Sequence, residues 1–96
     1  LIALDPPTFG RGSSGQVWKI EDDLPKLLGV CNRLREPGRP FTVILSCHSP
    51  GFSCLVLERL LEEACGRGGR FESFEMTIPE STGRELPAGV SVRYTV

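Results

Sequence analysis

Ninety-six residues leave room for one small domain or for part of a larger one, and 40% hydrophobic with 24% charged side chains is a globular balance, not a disordered tail. Eleven basic residues against twelve acidic give a net charge of −1, which excludes a general polyanion binder; any nucleic-acid contact must come from a local patch or from another domain. No apolar run approaches the ~20 residues of a membrane-spanning helix. The four cysteines, Cys31, Cys47, Cys54 and Cys65, form no CxxC pair, and His48 has no second histidine beside it, so no metal site is expected. Two of the four lie at apolar helical positions, which favours buried free thiols in a reducing, cytoplasmic setting.

Leu1-Ile2-Ala3-Leu4 is short, apolar and unalternating, as expected of a strand buried on both faces of a parallel sheet. It opens without an initiator methionine or a signal-peptide pattern, and the chain reads as the C-terminal part of a longer protein. Asp5-Pro6-Pro7 ends the strand, because neither proline can donate to a ladder. Thr8 to Gln16 holds three glycines and two serines and is expected to be a loop. Asp22 and Asp23 are the expected cap of a helix with Pro25 in its first turn, whose core face is Leu24, Leu27, Leu28, Cys31 and Leu34. Glu36-Pro37-Gly38 stops it.

Phe41 to Leu45 is β-branched and aromatic, a second buried strand, and it runs into the turn Ser46 to Gly51. Ser53 is the expected cap of a second helix, with Leu57, Leu60, Leu61 and Ala64 on one face and Gly66 to Gly69 at its end. Residues 71–78 alternate as a strand, 79–89 form a polar loop, and 90–96 alternate as a last strand. The order β-α-β-α-β-β predicts an α/β fold: parallel strands ending in an antiparallel hairpin, with helices packed on the sheet.

Chemistry concentrates at Asp5. An acid at the end of an apolar strand lies on the carboxyl edge of the sheet, where open α/β folds bind ligands. The two prolines stiffen the backbone beyond it, Phe9 offers a ring for stacking on a planar base, and Arg11 offers a phosphate contact. By itself Asp5 also reads as a turn-starting acid, and Arg11 as a solvated loop side chain. The stretch Asp5-Pro6-Pro7-Thr8-Phe9-Gly10-Arg11-Gly12 resembles motif IV of class I S-adenosylmethionine-dependent methyltransferases. Together with Gly15-Gln16-Val17-Trp18-Lys19, Asp23 to Leu28 and Gly83 to Val90, it is similar to bacterial methyltransferases related to the large-subunit rRNA cytosine-C5 enzymes.

That resemblance implies a Rossmann-like sheet of which residues 1–96 supply the C-terminal half, the glycine-rich loop and ribose-binding acid lying upstream. It implies S-adenosylmethionine as cofactor, an RNA base (cytosine C5) as acceptor, Asp5 where the methyl donor meets the base, and Pro6, Pro7, Phe9 and Arg11 against the substrate. Cytosine-C5 methylation needs a thiolate to add to the ring. Ser46-Cys47 stands where such enzymes place it, though His48-Ser49-Pro50 is not the usual continuation, and a buried thiol would be inert. Adjacent residues at a strand end point apart, so His48 is not expected to activate Cys47. A lone Trp18 before a helix is a packing anchor or a wall of the substrate cleft. Two rivals remain, an inactive methyltransferase-like binding module and another Rossmann-like enzyme, and the sequence sets no oligomeric state.

Overall fold

Every second side chain from Val43 to Cys47 is buried, and this alternation organises the domain. The computed structural model describes residues 1–96 as β1 (Ile2–Leu4), β2 (Phe9–Arg11), β3 (Val17–Lys19), α1 (Ile20–Arg33), β4 (Thr42–Cys47), α2 (Cys54–Cys65), β5 (Arg70–Pro79) and β6 (Glu85–Thr95). The main sheet has the order β1-β4-β6-β5. β1 and β4 run parallel, with Leu4 opposite Leu45, while β6 is antiparallel to both of its neighbours. The last strand therefore inserts between β4 and β5 rather than lying at the sheet's rim.

Both helices cover one face of this mixed α/β sheet. Ile20, Leu24 and Leu28 of α1 and Leu57, Leu61 and Cys65 of α2 close on Val43, Leu45 and Cys47 of β4 and Val92 and Tyr94 of β6. Fully burying each such Leu or Val contributes about 1.5–3 kcal/mol. Tyr94 satisfies its hydroxyl by donating to the Cys65 carbonyl at 3.2 Å, and its ring packs 5.0 Å from that of Phe71. Burial pushes the Tyr94 phenol and the thiols of Cys31 and Cys65 above their usual values. All four cysteines are free.

Several sequence expectations are corrected. Residues 8–16 are not all loop: β2 and β3 pair as a two-stranded antiparallel ribbon, Phe9 opposite Lys19 and Arg11 opposite Val17. α1 begins at Ile20, not after Asp23, so Pro25 lies in the second turn and forgoes a helical hydrogen bond. Asp23 caps from inside, accepting from the Lys19 N–H at 2.9 Å. Leu34 is exposed, because the helix ends before it. The 79–89 segment is largely strand, since β5 and β6 extend to Pro79 and from Glu85. On α2 the expected cap is present, with Ser53 accepting from the Val56 N–H at 3.3 Å.

Candidate active site

Parallel pairing of β1 with β4 brings their carboxyl ends side by side, which juxtaposes Asp5 with His48. The imidazole Nε2 lies 3.4 Å from Asp5 Oδ1, and the two side chains are 56% and 66% exposed. A bulge in β6 makes room for the ring. Between the pairs Glu75–Val90 and Thr77–Pro87, β6 spends one residue more than β5. Gly89, in this bulge, has φ +96°, and a Cβ there would stand 2.7 Å from His48 Nδ1 and 2.6 Å from the Cys47 carbonyl oxygen. Only glycine meets both conditions without strain.

The turn after Asp5 is fixed from three sides. Pro6 is buried, and the Trp18 indole N–H donates to the Pro7 carbonyl at 2.7 Å. Thr8 Oγ1 and Ser49 Oγ share a hydrogen bond of 2.6 Å, tying the β1 turn to the β4 turn. The Ile20 N–H donates to the Thr8 carbonyl at 3.1 Å, anchoring the turn to the start of α1. Phe9 is half exposed on the β2–β3 ribbon, with the Arg11 guanidinium 5.8 Å from its ring centroid.

Of the sequence candidates, the fold gathers Asp5, Pro6 and Pro7 at this edge and sets Phe9 and Arg11 on the adjoining ribbon. Cys47 is not brought into this group. It closes β4 pointing into the core at 1% exposure, whereas His48, one residue on, points out. A thiol so placed meets a base only if the end of β4 opens. His48 does not face Cys47, as expected, but it meets Asp5, a contact that the sequence analysis does not contain. Its signal was position alone, the residue just past a buried parallel strand. No cluster of three or more His, Cys, Asp or Glu side chains suited to a metal forms. No helix is long and apolar enough to cross a membrane.

No protein-family model and no curated protein matches the chain. Among solved structures it is similar to a SAM-dependent methyltransferase from Agrobacterium tumefaciens, with 33% sequence identity and a TM-score of 0.82 over 97% of this chain. The match covers 32% of that protein, so the chain spans about a third of its neighbour's length.

Proposed function

We propose that the Asp5 edge is part of a methyl-transfer site that uses S-adenosylmethionine and takes an RNA base as acceptor. The observation that carries this reading is the Asp5-Pro6-Pro7 turn: an exposed acid at the carboxyl end of a parallel strand, on a backbone held by Trp18, Thr8 and Ile20. Likeness over nearly the whole chain to a SAM-dependent methyltransferase supports it. S-adenosylmethionine supplies an electrophilic methyl group on a cationic sulfur.

The residues present fit the charged end of that cofactor. The Asp5 carboxylate is accessible to a cationic group, and the stiff Pro6-Pro7 backbone keeps it in place. They do not enclose an adenosine, for the Asp5 side chain stands exposed at an open sheet edge. Calorimetry on the 96-residue chain is therefore expected to show no micromolar binding of S-adenosylmethionine. For the acceptor, Asp5 can take a hydrogen bond from a base and Phe9 can stack on it, so that the chain's contribution is orientation.

Cytosine C5, the acceptor implied by the sequence resemblance, would require Cys47 to reach the ring. RNA carrying 5-fluorocytidine tests that step, because it traps a covalent adduct that survives denaturing electrophoresis and disappears in Cys47→Ala. Full turnover in Cys47→Ala assigns the acceptor to a nitrogen or hydroxyl instead. The reading as a whole is tested by incorporation of labelled methyl groups into RNA by the complete protein. Asp5→Ala is expected to lower turnover at least about tenfold, roughly 1.4 kcal/mol of transition-state stabilisation, with the fold intact. Undiminished turnover in that variant would overturn the assignment.

A further inference from the structure

The β2–β3 ribbon and α1 border a shallow, open cleft of about 590 Å³, within the size range of ligand sites. Val17, Trp18, Leu27 and Val30 form its apolar wall, and Arg11 and Lys26 its cationic side. Val17 and Val30 are 47% and 43% exposed, so this apolar surface is open to a ligand. Asp23 also lines the cleft, but its carboxylate is already engaged. It accepts from the Lys19 N–H at 2.9 Å and from Lys26 Nζ at 3.2 Å. Lys26 thus offsets Asp23, while Arg11 enters no salt bridge. Glu21 and Asp22 share the first turn of α1 but do not line the cleft. What remains is one guanidinium that rests on the Phe9 ring and has no carboxylate partner, beside an aromatic and apolar wall.

That combination matches one nucleotide of a single strand, whose base has a π-face for the wall and whose phosphate is a partner for the guanidinium. The cleft and the Asp5 turn are also one mechanical unit, because Trp18 donates to the Pro7 carbonyl. We propose that this cleft seats the nucleotide flanking the acceptor base of a single-stranded RNA, with its base against Trp18 and its phosphate on Arg11. The inference rests on the methyltransferase reading for its choice of RNA, and not on the cofactor.

Trp18 is the chain's one tryptophan, so its emission reports on the cleft directly. Titration at low salt with a single-stranded RNA hexamer of mixed sequence is expected to quench it saturably. Arg11→Gln should weaken binding about tenfold and lower the log–log salt slope by about 0.7, the value for one phosphate contact on a single strand. Arg84→Gln, at the distant β5–β6 turn, should change neither. Unaltered emission, equal affinity in Arg11→Gln, or the same quenching by inorganic phosphate at equal concentration would each overturn the proposal. Methyl incorporation into RNA with a silent Trp18 would overturn the cleft and leave the methyltransferase reading standing. Saturable, Arg11-dependent quenching in a protein that transfers no methyl group would support the cleft and sink that reading.

Discussion

Gly89→Ala tests whether the β6 bulge holds the site edge together. Two costs are expected. The residue has φ +96°, and a side chain in the left-handed region costs about 1–2 kcal/mol. Its Cβ would also stand 2.6 Å from the Cys47 carbonyl oxygen and 2.7 Å from His48 Nδ1, and overpacking of that kind costs about 1–3 kcal/mol. Gly83 is the internal control, for it has φ +85° but nothing within 4 Å of the position a Cβ would take. Gly83→Ala should therefore show the backbone cost alone, and the difference between the two variants, about 1–3 kcal/mol, isolates the clash. Urea unfolding of both variants measures it, and thermal unfolding reads the same difference as about 4–8 °C of melting temperature per kcal/mol for a domain of this size. The clash falls on His48, so the ring resonances of that single histidine should shift in Gly89→Ala and stay in place in Gly83→Ala. Equal losses of stability in the two variants would show that the Gly89 position has room for a side chain.

Thiol labelling should divide the cysteines. Half-buried Cys54 reacts in the native state, while Cys31, Cys47 and Cys65 react on the timescale of unfolding, burial having also raised the Cys31 and Cys65 thiols. A Cys47 modified as fast as Cys54 would contradict the closed end of β4. Acid should weaken the start of α1, because the Lys19 backbone N–H and then Lys26 hold the Asp23 carboxyl below the usual value. A folded-state value below the unfolded one, about 3.9, gives stability that is present above that pH and lost as pH falls through the folded value. The stability gap between the protein and Asp23→Asn should accordingly be full near about pH 6 and close in strong acid. A gap that does not depend on pH would show that the Asp23 charge contributes nothing there.

The two helices were legible because their apolar spacing answers to one buried face. Leu24, Leu28 and Cys31 on α1 and Leu57 and Leu61 on α2 are all in the core. The start of α1 was not, because Asp22 and Asp23 have the composition of a cap, while the residue that ends the helix backwards, Lys19, has no capping side chain. The β2–β3 ribbon was hidden by its own chemistry, three-residue strands separated by glycine and serine. β6 accommodates Pro87 because β4 pairs only as far as Val90. Beyond the bulge β6 has a free edge, where a proline's missing N–H costs no ladder bond. At the site, Asp5 was readable from a local pattern, an acid ending an apolar strand. Its neighbour His48 depended on which strand lies next to β1, and Gly89 on a bulge some forty residues further on, and no local pattern encodes either.

The site edge and the core are held by different forces, which decides what can change at each. Asp5 and His48 are exposed, and a polar contact at the surface contributes about 0–1 kcal/mol, so replacing either leaves the domain nearly as stable. The groups that fix their backbone are less tolerant. The Trp18 bond to the Pro7 carbonyl closes a local turn, while the Thr8–Ser49 bond and the close approach of Gly89 to His48 join segments far apart in the chain. Losing one lets the Asp5 turn drift against β4 without emptying the core of Leu24, Leu45, Leu61 and Tyr94. A reaction that depends on orientation is sensitive to shifts of about 1 Å. On the methyl-transfer reading proposed above, the supporting residues therefore govern turnover more strongly than their small share of the folding free energy suggests.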